Sequence, residues 1–183
     1  MIHSLGDSWC CYEGDTRIIR GWQEFALKPT ARHGVPGTTA AEWNTDKNGL
    51  LSTALTYINK DDTVIISLIG NDLRRAVADG NLETGELFVA VQSLIGVVNK
   101  VKAKGAKVTL LLYADPFNGK DSATKTGVAL MRTMLKGVAF MLQCDTLDTA
   151  KILTLLDHFD GCDIHPTEKG HRAIAEYINK TMR

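Results

Sequence analysis

Hydrophobic and polar positions along this chain fall into two alternating patterns. Short apolar runs rich in β-branched residues recur at Ile2-His3-Ser4-Leu5, at Asp62 to Ile69 and at Lys107 to Tyr113. The middle run, Thr63-Val64-Ile65-Ile66-Ser67-Leu68-Ile69, is nearly continuous, which predicts a strand buried on both faces and therefore a parallel sheet. A short last strand is predicted at Asp145-Thr146-Leu147. Between the runs, apolar residues take the three-to-four spacing of helices. Ile18, Ile19, Trp22, Phe25 and Ala26 predict a helix from Thr16 to Leu27, stopped by Lys28-Pro29. A second helical pattern starts at Thr38 or Thr39, with Glu42 placed for a capping box, and runs through Leu50, Leu51, Ala54, Leu55 and Ile58. Thr84–Lys104, Ser122–Leu142, Thr149–Leu156 and Thr167–Met182 are the remaining predicted helices. Arg74 to Asn81 reads as a polar stretch placed to shape a pocket.

Strands alternating with helices of crossover length predict an α/β fold, a three-layer α/β/α sandwich around a central parallel sheet. A length of 183 residues suits one domain spanning residues 1–183. Formal net charge is zero, so no global field attracts nucleic acid or an anionic membrane, and neither is expected as a partner. No basic and apolar leader is read at the N-terminus, and no apolar run approaches the ~20 residues needed to span a bilayer. The expected location is therefore the cytoplasm, with Cys10, Cys11, Cys144 and Cys162 as thiols. No cysteine pair has the spacing of a structural zinc site, and no metal or cofactor is expected. The chain carries no signature of its oligomeric state.

The chemistry gathers where strands end. Gly6-Asp7-Ser8 follows the first strand, Gly70-Asn71-Asp72 follows the central one, and Asp163 and His165 precede the last helix. In a parallel sheet all strand carboxyl ends lie on one edge, so residues far apart in sequence can meet there. A serine hydroxyl needs an adjacent base to act as a nucleophile, and a neutral His165 can take its proton. A carboxylate on the other ring nitrogen would hold the tautomer. The Ser8 N–H, the Gly37 N–H and the Asn71 amide are candidate donors to a developing oxyanion, each worth ~3 kcal/mol of barrier. Asp7 and Asp72 are read as structural, bonding loop amides. Met131 and Met134 are read as packing residues, and Trp9, Trp22 and Trp43 as core or pocket wall. His3 is expected to be satisfied within the fold, His158 and His171 to be exposed, and His33 is a candidate pocket residue.

These blocks together resemble a known family. Gly6-Asp7-Ser8, Gly37 within Val35-Pro36-Gly37-Thr38-Thr39, Gly70-Asn71-Asp72, and His165-Pro166-Thr167 with Gly170 look like the four blocks of the SGNH/GDSL hydrolases, in order and across nearly the whole chain. The resemblance implies a flavodoxin-like fold, with Ser8 as nucleophile, His165 as base and Gly37 and Asn71 in the oxyanion hole. It further implies esterase, lipase or thioesterase chemistry through an acyl-enzyme, without metal or cofactor.

Two positions depart from the family pattern. Ile69 stands where the third block has its first glycine, and Cys162 stands three residues before His165, where the family has its aspartate. Asp163 is the favoured orienting carboxylate, Asp160 the alternative, and a dyad with a backbone carbonyl a third possibility. A Cys–His pair, or a disulfide from Cys10 or Cys11 to Cys162, are further alternatives. The expected substrate is a small carboxylic ester carrying a short acyl or acetyl group, including acetylated saccharides. The rival readings are an acyltransferase on the same site and a disabled carbohydrate- or partner-binding module.

Overall fold

A computed structural model describes residues 1–10, 21–78, 85–116, 122–160 and 164–182. Among these, five strands form one parallel sheet: β1 (Ile2–Gly6), β2 (Thr30–Arg32), β3 (Thr63–Ser67), β4 (Lys107–Leu112) and β5 (Asp145–Asp148), in the order β2-β1-β3-β4-β5. Val64, Ile65, Ile66, Leu110 and Leu111 are almost fully buried, as expected for strands covered on both faces. Six helices accompany them: α1 (Ala40–Asn44), α2 (Leu50–Tyr57), α3 (Gly70–Ala78), α4 (Gly85–Lys102), α5 (Ser122–Met141) and α6 (Glu168–Thr181). α1 packs on α4, α3 on α4 and α5, and α4 on α5, while α6 packs against the 3₁₀ turn Trp22–Glu24. Connections between parallel strands are right-handed as a rule, which with this strand order puts these two groups on opposite faces of the sheet and gives the expected three layers. No helix among the described residues is long and apolar enough to cross a membrane.

Strand order reverses beside β1, which pairs with both β2 and β3. That switch point brings the residues after β1 and β3 side by side at the carboxyl edge, where a crevice opens.

Several local expectations are corrected. Trp22–Glu24 is a 3₁₀ turn rather than α-helix, and residues 16–20 of the predicted Thr16–Leu27 helix lie outside the described residues. The helix foreseen from Thr38 onward is divided into α1 and α2 by a kink in which Asp46, Asn48 and Gly49 take positive φ. Its start follows the sequence: Thr39 and Glu42 form a reciprocal capping box. Of the polar stretch Arg74 to Asn81, Arg74 lines the pocket beside Ser8 as foreseen, Arg74 and Arg75 belong to α3, whose Leu73 and Ala76 turn into the core, and residues 79–81 lie outside the described residues. Thr149–Leu156 resolves into two 3₁₀ turns, Thr149–Lys151 and Leu156–His158. His158 and His171, expected at the surface, are 5% and 2% exposed.

Candidate active site

The first strand ends in a conformation that only glycine fits. Gly6 pairs with Ser67 on β3 and has φ +129°, and a Cβ there would lie 1.9 Å from the Ser67 carbonyl oxygen. The close approach lets Asp7 N–H donate to Ser67 O at 2.8 Å and turns the chain sharply out of the sheet. Cys10 N–H donates to Asp7 O at 3.0 Å and Trp9 N–H to Asp7 Oδ1 at 3.1 Å, so Ser8 sits in a tight turn fixed by its neighbour's carboxylate.

Asp7 is 2% exposed and also accepts hydrogen bonds from Ser67 Oγ, at 2.7 Å, and from the Tyr113 hydroxyl. Burial raises its pKa to about 6, opposed by the Tyr113, Ser67 and Trp9 bonds and by nearby His165. Tyr113 lies just beyond β4, and its carbonyl accepts from Arg132 of α5, which also grips both oxygens of Asp148 at the end of β5. The ends of β1, β3, β4 and β5 are thereby joined by polar contacts beneath the serine.

Ser8 Oγ lies 2.7 Å from His165 Nε2, across a sequence separation of 157 residues. Several contacts secure the loop carrying His165. Phe159 and Pro166 form an antiparallel bridge, and Thr167 N–H donates to His158 O at 2.8 Å. Thr167 caps α6, and Gly170 lies so close that a Cβ would approach His158 O at 2.7 Å. For Nε2 to accept a proton from Ser8 Oγ, the ring hydrogen must sit on Nδ1. Asp163 and Cys162 lie outside the described residues, and Asp160 is exposed.

Asn71 occupies the first turn of α3. Its Nδ2 donates to Thr38 O at 2.9 Å, and Asp72 Oδ2 accepts from Ala40 N–H at 3.1 Å, the structural role expected of that aspartate. Val35 to Thr38 forms a turn with Pro36 and Gly37 at its centre. Gly37 has φ +76° and Thr38 N–H donates to Val35 O at 3.4 Å, the pattern of a type II turn. Trp43 Nε1 donates to Thr38 Oγ1 at 2.8 Å and Arg75 reaches Gly37 O at 3.4 Å, so the Gly37 turn is tied to Asn71 through Thr38.

A model of the GDSL-like lipase/acylhydrolase family matches residues 4–173. The chain belongs to that family. This GDSL-like protein also superposes on solved structures of low sequence identity. One is a member of the lipolytic G-D-S-L family from Veillonella parvula, with 17% identity, TM-score 0.72 and coverage of 98% of this chain and 96% of that one. Another is a putative lipolytic G-D-S-L protein from Desulfitobacterium hafniense, with 19% identity, TM-score 0.71 and coverage of 98% and 97%. A third is an acetyl xylan esterase from Geobacillus stearothermophilus, with 16% identity, TM-score 0.71 and coverage of 98% and 93%. Alanine variants of that esterase at a serine, an aspartate and a histidine are described as catalytic mutants. A comparison with curated proteins finds no match.

Within the GDSL-like protein the family's missing glycine has a visible cost. Ile69 is fully buried at φ +85°, a left-handed backbone that a β-branched residue rarely adopts. His33 does not line the pocket beside Ser8. It stacks between His3 and Tyr57, with His3 Nδ1 and His33 Nε2 3.0 Å apart, while His3 Nε2 meets Asp62. Cys10 points away from His165 chemistry: its buried thiol, pushed up to about 12 by desolvation, donates to Ile65 O. Trp22 and Trp43 are core, and Trp9 is wall, edge-on to Tyr113 at 5.1 Å between centroids. Sequence reasoning passed over Tyr113, Ser67 and Arg75. Tyr113 had a signal, since it follows a strand that ends on the same edge as Ser8.

Proposed function

We propose that this protein is a serine acylhydrolase acting on small carboxylic esters, with one domain over residues 1–183 carrying the activity. The observation that supports it most is the 2.7 Å approach of Ser8 Oγ to His165 Nε2 at the switch point of a parallel sheet. Ser8 attacks the ester carbonyl as its proton passes to His165 Nε2. The tetrahedral oxyanion is held by the Ser8 N–H, the Gly37 N–H and the Asn71 amide, whose second N–H is left after the bond to Thr38 O. His165 then protonates the leaving alcohol, and water attacks the acyl-enzyme by the same route. Asp163, two residues before His165, is the orienting carboxylate in this scheme. The family match supports acylhydrolysis, and the acetyl xylan esterase with the same fold makes acetylated saccharides a substrate worth including.

Ser8→Ala is expected to lower hydrolysis of p-nitrophenyl butyrate by at least ~10³-fold. A fluorophosphonate should label wild-type protein at Ser8 alone. Turnover in the variant equal to wild type would overturn the assignment.

A further inference from the structure

A cavity of about 260 Å³ opens directly beside Ser8, between α3 and α5. Its walls are apolar: Trp9, Leu73, Ala114, Val128, Met131 and Ile164. The polar groups that reach it are already engaged or lie at its mouth. The Asp7 carboxylate and the Tyr113 hydroxyl bond each other, and Arg74 is exposed. Along α5 the lining residues become steadily more buried, from Thr124, half-buried, through Val128 at 7% exposure to Met131 at 2%. Val128 and Met131 are thus the buried wall that α5 presents to the cavity.

Its orientation relative to the reacting atoms decides which half of an ester it suits. Ser8 and Asn71 line it, whereas the His165 ring is not among the described lining residues. The leaving alcohol must sit within reach of His165 Nε2 to receive its proton. The acyl carbon, bonded to Ser8 Oγ with its oxyanion toward Asn71, then directs its chain the other way, into the cavity. Liquid water occupies about 30 Å³ per molecule, so the space holds roughly eight groups of that size. An acetyl methyl would fill one of them and leave an apolar void.

The geometry points to this cavity as the acyl-chain pocket, taking saturated acyl groups of roughly six to eight carbons, with Val128 and Met131 setting the upper length. This rests on Ser8 being the acyl-accepting nucleophile. Atoms balance as in any acyl transfer: the Ser8 O–C bond forms, the ester C–O bond breaks, and the serine proton leaves with the alcohol through His165.

The test is kcat/KM for p-nitrophenyl acetate, butyrate, hexanoate, octanoate and dodecanoate. The expected profile climbs by up to about fourfold per added methylene, peaks at hexanoate or octanoate, and falls at dodecanoate. Val128→Phe, which fills the cavity, should move the peak to acetate or butyrate, lowering octanoate turnover far more than acetate turnover. Met131→Ala, which lengthens it, should move the peak beyond octanoate; this variant and the wild-type profile carry the test if Val128→Phe does not fold. Ser8-dependent hydrolysis that is fastest on acetate overturns the pocket alone, as does a Val128→Phe protein that loses acetate and octanoate equally. Failure to hydrolyse any of the esters, or a fully active Ser8→Ala, overturns the serine reading and the pocket with it.

Discussion

The Tyr113 hydroxyl donates a hydrogen bond to Asp7 Oδ2, tying the end of β4 to the turn that presents Ser8. A neutral donor to a buried carboxylate is worth about 1.5–3 kcal/mol. Tyr113→Phe should therefore destabilise the protein by about 2 kcal/mol at pH 7.5, where Asp7 is ionised. At pH 4.5, where the raised pKa leaves Asp7 protonated, the loss should shrink to under about 1 kcal/mol. Urea denaturation at the two pH values measures both. Equal losses would mean that the bond does not depend on the charge of Asp7.

Asp7 and His171 pull the pH dependence of stability in opposite directions. The folded pKa of Asp7 is raised to about 6, so the native state holds a proton that the unfolded chain releases between pH 4 and 6, and stability falls as pH rises there. Burial first, and the nearness of His165 second, lower His171 to about 4. The unfolded chain therefore binds a proton that the native state refuses between pH 4 and 6.5, and stability rises with pH. A tenfold change in proton affinity is worth about 1.4 kcal/mol, so the two nearly cancel between pH 4.5 and 6. Asp7→Asn should expose the histidine: its stability should climb by about 2 kcal/mol across that interval while wild type stays nearly level. Denaturant titrations at half-unit pH steps would show it.

Two glycines near the serine should respond differently to alanine. At Gly6 the new Cβ meets backbone at 1.9 Å, with no flexible side chain to give way. Gly6→Ala should cost more than about 4 kcal/mol and leave little folded protein. At Gly37 nothing lies within 4 Å, and only the positive φ resists. Gly37→Ala should fold and lose about 1–2 kcal/mol. Thermal melts of the two purified variants separate these outcomes.

Ile69 should reverse the usual ranking of small residues. Both Ile69→Ala and Ile69→Gly empty a fully buried site and should cost several kcal/mol. Glycine normally trails alanine by up to ~1 kcal/mol, but at φ +85° it relieves a backbone that costs alanine ~1–2 kcal/mol. Ile69→Gly should be the more stable of the two by up to about 1 kcal/mol. Alanine ranking higher in denaturant would show that residue 69 does not hold that conformation.

Much of this arrangement was legible in the sequence because local patterns and strand-end chemistry point the same way. The β-branched run through Val64, Ile65 and Ile66 announced a strand buried on both faces, Ser8 and Asn71 follow apolar segments that end on one edge, and His165 leads into the last helix. What stayed hidden depends on distant partners. His158 and His171 look like surface histidines until Leu153, Pro166 and Gly170 close around the start of α6. Arg74 and Arg75 read only as part of a polar stretch, because their own polarity masks the buried Leu73 and Ala76 on the other side of α3. Tyr113 gains its role only from Asp7, 106 residues away.

The 157-residue separation between Ser8 and His165 also sets when the site can exist. Contacts that distant close a long loop, whose entropy must be overcome before they return anything, and so they form late. β1 can join the sheet with Ser8 already in its turn, but His165 arrives only when Phe159 meets Pro166 and α6 docks. Recovery of hydrolysis after dilution from denaturant therefore times the docking of the last helix, whereas backbone signals time the sheet.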